Sequence, residues 1–223
     1  MSDAVSFSRM QGYKKCPASY EWKYLLGNPG NPPGPAAARG TRIHNSIEAF
    51  HNGVGDLDED IPLVMADYVN TYYDVEGWKA YPELEFGFTS DWEITTFEAD
   101  DCYIRGKMDG VFVEGPWVDP TRVVIDEYKT GKEYPEHADQ KAMYALASLV
   151  IWPTIQSVVV SGVYLDLKKI KPTTYMRAHL PAMQFEWKRQ IDKLKIPIYP
   201  ARPGFHCRWC TKSHKGGGPC QVG

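Results

Sequence analysis

The 223 residues, 43% hydrophobic and 24% charged, suffice for a substantial core without disulfide help, so one domain over residues 1–223 is the simplest expectation. No window approaches the roughly eighteen uninterrupted apolar residues of a membrane span, which argues against a membrane role. The formal net charge of -3 conceals an asymmetry: residues 1–167 carry 13 Lys+Arg against 26 Asp+Glu, and residues 168–223 carry 12 against 2. Such a basic segment suits a polyanion backbone, and equally a solvated basic face.

The N-terminus, MSDAVSFSRM, has no basic start ahead of an apolar stretch, so a cytoplasmic protein is expected. Ser8 with Gln11 reads as a capping box, and Tyr13, Cys16, Tyr20 and Tyr24 recur at helical spacing, which predicts one amphipathic helix. Residues 27–40, GNPGNPPGPAAARG, read as a loop. A second helix is predicted over 41–51, with Ile43, Ile47 and Phe50 on its apolar face and His44 beside them. GDLDED follows as an acidic loop, and a third helix is predicted over 62–73, Pro62 being tolerated in a first turn.

The period then changes. ELEFGF, DWEITTF, CYIRGKMDGVFV and TRVVIDEYKT alternate or run apolar with β-branched and aromatic residues, which predicts strands. Residues 137–151 return to a helical pattern, 156–166 form a further strand, and 181–195 a last helix. The tail CRWCTKSHKGGGPC has no periodicity, so something other than a core must order it. There is no internal repeat.

The most informative stretch joins YIRGKMDGVFV to VVIDEYKTGK. Side chains alternate along a strand, so Glu127 and Lys129 project to one face while Asp126 and Tyr128 point to the other. Asp109 late in one strand and Glu127 at the end of the next can converge on a hard cation such as Mg2+, with Lys129 orienting a water or stabilising charge on phosphorus. A surface ion pair on a β-hairpin is the other reading of the same residues. Gln140 and Tyr144 share one face of the following helix, and His44 stands at the start of an earlier one.

Taken in order, Gly40-Thr41-Arg42-Ile43-His44, Gly106-Lys107-Met108-Asp109, Glu127-Tyr128-Lys129-Thr130-Gly131 and Gln140 to Tyr144 resemble the RecB-like branch of the PD-(D/E)XK nucleases over nearly the whole chain. That branch includes the CRISPR-adaptation exonucleases and the AddAB nuclease subunits. The resemblance implies His44, Asp109, Glu127 and the Tyr128 carbonyl as ligands of Mg2+ or Mn2+. It implies Asp109, Glu127, Lys129, Gln140 and Tyr144 as catalytic residues, the last two contacting the DNA backbone or positioning Lys129. Glu83 or Glu85, on an earlier strand, supports the site, and the sequence does not choose between them.

Five cysteines in a reducing compartment favour metal binding or buried thiols over disulfides, and Cys102, in a strand-like stretch, reads as core. Similarity to the family implies that Cys16 (in Cys16-Pro17), Cys207, Cys210 and Cys220 hold a 4Fe-4S cluster joining residues 1–26 to 200–223. Zinc is the alternative occupant, with His206 and His214 near enough to replace a thiolate. Trp209, Phe205 and Arg208 read either as packing around that cluster or as a platform for single-stranded bases.

The expected architecture is therefore an α/β restriction-endonuclease-like core: a central twisted mixed β-sheet flanked by helices, with termini joined by a metal cluster. The implied activity is metal-dependent hydrolysis of DNA, single-stranded or with accessible ends, more from an end than internally, in a bacterial or phage-infected cell. Recombination or replication proteins are possible partners, and the oligomeric state is open. The rival is a non-catalytic iron-sulfur DNA-binding or assembly protein on the same fold.

Overall fold

The computed structural model describes residues 4–30 and 32–221. Residues 1–3, part of the N-terminal reading, residue 31 of the 27–40 loop, and residues 222 and 223 lie outside the described residues. Two compact units form: one of Met1–Ala4 with Pro35–Phe185, the other of Val5–Gly34 with Glu186–Gly223. Charge segregates between them, 13 Lys+Arg against 25 Asp+Glu in the first and 12 against 3 in the second.

The first unit is built on a six-stranded mixed sheet. Its strands are β1 (Trp78–Phe88), β2 (Ile94–Thr95), β3 (Ile104–Glu114), β4 (Arg122–Lys129), β5 (Ser157–Tyr164) and β6 (Lys169–Met176), in spatial order β2-β1-β3-β4-β5-β6. Only β4 and β5 run parallel, because the chain between them crosses over through the 16-residue helix Glu136–Ile151. β4 is buried continuously from Val123 to Tyr128, as a strand covered on both faces must be.

The covering helices follow from the alternation. Tyr128 and Val163 pack with Ile43 and Ile47 of the helix Pro35–His51, and with Met65 and Val69 of the helix Leu63–Val69. Glu127 and Lys129, on the opposite face, meet Gln140 of the helix Glu136–Ile151. Helices thus lie on both faces of a mixed sheet, as expected. Arg177 finishes the Glu136–Ile151 helix by donating to the carbonyls of Leu149 and Trp152 at 2.9 and 2.6 Å.

The sequence expectation fails where proline acts locally. The single helix expected from Ser8 is two: Ser6 caps Phe7–Lys15, Cys16 is extended at φ -161°, and Pro17 opens a new helix, Pro17–Tyr20, that ends in a π turn, Glu21–Leu25. Proline forces its predecessor out of the helical region and suits a first helical turn. For the same reason the next helix starts at Pro35 and not at Thr41, carried by the strong helix formers Ala36, Ala37 and Ala38. DWEITTF keeps only Ile94–Thr95 as strand. β6, KIKPTTYM, was not expected; Pro172 and its exposed lysines disguise it, and an edge strand is the place that accepts them.

In the second unit Met10, Tyr20, Trp187, Ile191 and Leu194 are buried, the last three on the helix Leu180–Lys195. Tyr13 packs edge-on to Tyr20 and Tyr199, with centroids 5.6 and 6.5 Å away. Here the expected four-cysteine cluster, iron-sulfur or zinc, is corrected. Among the described residues, the His, Cys, Asp and Glu side chains whose ligand atoms all lie within 4.8 Å of one another are His44, Glu83 and Asp109, not three or more cysteines. Cys16, Cys207, Cys210 and Cys220 are free thiols lining a cavity of about 10 Å³, which has room for about one water. Two of their sulfurs are engaged in the protein's own hydrogen bonds: Cys16 Sγ accepts the Arg202 N–H at 3.4 Å and the Cys210 thiol donates to Ser19 Oγ at 3.7 Å. The tail is ordered by its own backbone hydrogen bonds, the Cys220 N–H donating to Lys212 O at 2.9 Å in a β-bridge and the Gly218 N–H to Ser213 O at 2.8 Å. Nor do Phe205 and Trp209 pack round a cluster: they stack edge-on at 4.8 Å and are 67% and 58% exposed. No helix among the described residues is long and apolar enough to cross a membrane.

Gly106 permits the tightest approach in the sheet, since a Cβ there would stand 2.5 Å from Phe86 Cζ and 3.1 Å from Met143 Cε. Gly106→Ala is expected to cost about 1–3 kcal/mol of stability by overpacking, measured as a lower denaturation midpoint. An unchanged midpoint would show that the Phe86 ring gives way freely.

Candidate active site

The site lies where the β3 ladder is interrupted on both sides. β1 and β3 pair from Trp78↔Glu114 to Phe88↔Ile104 except where Glu83 stands opposite Asp109, and Glu83 has φ 52°. A non-glycine residue held in the left-handed region stores local strain, which the two flanking ladder segments impose. On the other side, β3 and β4 pair as far as Gly110↔Asp126 and then part. There the Asp109 carboxylate takes over as acceptor for the Tyr128 N–H at 2.9 Å.

His44 completes this corner. Its Nδ1 lies 3.5 Å from Asp109 Oδ2, and ligand atoms of His44, Glu83 and Asp109 all fall within 4.8 Å of one another. Glu83 is the acidic residue of β1 that joins the site; Glu85 instead faces Lys107, with its side chain about half exposed. Lys107 Nζ also lies 3.4 Å from Glu83 Oε2 and offsets part of the negative charge.

Glu127 and Lys129 are joined through a hydrogen-bonded chain to the next helix. Lys129 Nζ donates to Glu127 Oε1 at 2.5 Å and to Gln140 Oε1 at 2.9 Å. Gln140 Nε2 donates to Glu127 Oε1 at 2.7 Å and to the Tyr144 hydroxyl at 2.9 Å. The ammonium is therefore fixed in direction, while Glu127 Oε2 is buried with no protein partner. Tyr128 sends its side chain into the apolar core on the other face.

The electrostatics follow from burial. Glu127 is pushed above the usual carboxylate range by burial and then by the Asp109 charge, against the pull of Lys129. Glu83 is raised by burial and by Asp109, with Lys107 opposing. Burial lowers His44, but its bond to Asp109 and the charges of Asp109 and Glu127 leave it above its ordinary value. Burial likewise lowers Lys129, and Glu127 and Asp109 more than compensate.

A second set of residues, which motif reading missed, holds this corner to the rest of the unit. Arg39 Nη1 and Nη2 donate to both Asp166 oxygens at 3.1 and 3.0 Å, and Asp166 Oδ2 also accepts the Gly131 N–H at 2.8 Å. This fork pins the helix that carries His44 to the turn that follows Lys129. Gly40 lets that helix come close, since a Cβ there would stand 3.2 Å from Thr130 Oγ1. The only signal in the sequence is the acidic residue at the end of the strand 156–166, paired with an arginine 127 positions away, and a spacing of that kind cannot be read along a chain.

The matching family model covers residues 4–214 and describes the PD-(D/E)XK nuclease superfamily. The chain belongs to the PD-(D/E)XK nuclease superfamily. This PD-(D/E)XK chain is similar in fold to the crystal structure of SSO0001, with TM-score 0.53 and 12% identity, covering 100% of this chain and 88% of that one. It is similar to the same degree, TM-score 0.53 and 12% identity, to a protein of Eubacterium rectale provisionally assigned as an exonuclease, covering 98% and 89%. No curated protein sequence matches the chain. Superfamily and ligand geometry together support a metal-dependent, nuclease-like activity.

Two outcomes are expected. In a Mn2+ titration followed by calorimetry, Glu83→Gln weakens binding at least roughly tenfold and Glu85→Gln leaves it unchanged; equal effects would remove Glu83 from the site. Asp126, buried on the opposite face and accepting from the Tyr68 hydroxyl at 3.2 Å, is raised to about 7, chiefly by burial. A raised folded-state value means stability that is full below the unfolded value of 3.8 and is lost as pH rises to about 7. Wild type should lose up to about 1.4 kcal/mol per pH unit more than Asp126→Asn across that window, read from denaturation at each pH.

Proposed function

We propose that this chain is a divalent-metal-dependent deoxyribonuclease that degrades DNA from accessible ends. The observation that carries the reading is the fixed Lys129 ammonium, held by Glu127 and Gln140 on the sheet face beside the ligand group His44, Glu83 and Asp109.

The residues fit a divalent cation. Their donor set is two carboxylates and an imidazole, and Glu127 Oε2 is a buried acceptor with no protein partner, the kind of atom a cation satisfies. His44, Glu83 and Asp109 would hold it, with Glu127 and the Tyr128 carbonyl as further oxygen donors, and the hard oxygens favour Mg2+ or Mn2+. Once bound, such an ion polarises a phosphoryl oxygen and lowers the pKa of a water.

The remaining work falls to the chain's own groups. Lys129, charged at neutral pH because its carboxylate partners outweigh its burial, orients the attacking water or stabilises charge developing on phosphorus. Gln140 and Tyr144 are positioning residues: they fix Lys129 and Glu127 and so remove reorganisation from the reaction. The preference for ends draws support from the provisional exonuclease assignment of the structurally similar Eubacterium rectale protein.

End-labelled single- and double-stranded DNA, incubated with the protein and Mg2+ or Mn2+, should lose label progressively. EDTA should stop the loss, and Lys129→Ala should slow it by roughly 10²–10³. Absence of degradation on every DNA, or cleavage of matched RNA alone, would overturn the reading.

A further inference from the structure

The second unit contains a cavity of about 360 Å³, within the size range of ligand pockets. Its walls are the helices Phe7–Lys15 and Leu180–Lys195. Glu186, Arg189 and Lys193 repeat at helical spacing on the second, and Lys14 and Arg202 complete the rim. Four cations thus face one carboxylate.

That carboxylate is already engaged: Arg189 Nε and Nη2 donate to Glu186 at 2.9 and 2.7 Å, and Gln190 adds a third bond at 2.9 Å. A guanidinium has five donors, so Arg189 retains others for a ligand. Arg202 is held in place by donating from Nη1 to the Lys14 carbonyl at 2.8 Å. Tyr13 gives the cavity an aromatic wall, and Met10 and Leu194, both buried, give it an apolar floor.

We propose that this cavity binds phosphate groups of a nucleic-acid strand, as an anchoring site separate from the candidate active site. A phosphate suits the four cations, and the unit as a whole carries 12 Lys+Arg against 3 Asp+Glu. Exposed Phe205 and Trp209, with Arg208 placed 4.6 Å over the Phe205 ring, offer the same unit a surface on which bases stack, which favours a strand over a small anion. The choice of nucleic acid among phosphate carriers rests on the proposed nuclease function.

The test is binding of a fluorescently labelled single-stranded oligonucleotide to the full chain carrying Lys129→Ala, in EDTA, at several salt concentrations. Adding Lys14→Ala with Lys193→Ala should weaken binding at least roughly tenfold and lower the salt slope by about 1.4, the share of two phosphates on a single strand. Lys14→Arg with Lys193→Arg should restore both, which shows that loss comes from charge and not from unfolding. Unchanged affinity and slope in the double alanine variant overturns the proposal. So does a site for small anions: pyrophosphate that raises the melting temperature of the parent, but not of the double alanine variant, while both bind the oligonucleotide equally. Cleavage is measured separately, on the chain with Lys129 intact. Cleavage with binding indifferent to Lys14 and Lys193 removes the anchoring site alone, whereas binding that depends on them without cleavage supports the site and removes the nuclease reading.

Discussion

Glu127 sits on the central strand of a sheet covered on both faces, and a carboxylate in that position is costly unless something satisfies it. Lys129 and Gln140 satisfy one oxygen and leave the other with no protein partner. The arrangement around the site follows from this. Lys129 is on the same face because the side-chain period of a strand is two. Gln140 is there because the helix of the β4–β5 crossover packs on that face, and Tyr144, one turn on, hydrogen-bonds to Gln140.

The same strand constrains the opposite face. Tyr128 anchors the helices that include Ile43, Ile47, Met65 and Val69, so the helix bearing His44 is held by ordinary apolar packing on its other residues. The Arg39 fork on Asp166 then sets where the N-terminal half of that helix lies relative to the turn after Lys129. Packing decides that the helix is present, and directional hydrogen bonds fix its position. A ligand group whose atoms lie within 4.8 Å of one another needs both.

Backbone strain reaches the site itself, at one of the non-glycine residues with positive φ. Glu83 adopts φ 52° where it faces Asp109, between ladder segments that remain paired on either side. Two carboxylates directly opposed across a ladder repel, and both burial and that repulsion raise Glu83. A cation would relieve the repulsion, which gives the interruption of the ladder a physical purpose and not merely an irregularity.

By itself the sequence determined what depends on near neighbours: the strands β3 and β4, the helix that follows them, the shared face of Glu127 and Lys129, and the helical face that presents Gln140 and Tyr144. Local periodicity is enough for these, because strand and helix periods act over a few residues. It misplaced helix starts at Pro17 and Pro35 and overlooked β6, where proline reads as a breaker although a first turn or a sheet edge accepts it. Tertiary structure alone decided between Glu83 and Glu85, because the choice depends on which residue of β1 lies opposite Asp109. It alone revealed the Arg39–Asp166 fork and the cationic cavity, which join residues far apart in the chain. It also overturned the cysteine cluster: a Cys-x-x-Cys spacing says which thiols can meet a metal, but convergence of sulfurs is a property of three dimensions, and here the convergent ligand atoms belong to a histidine and two carboxylates.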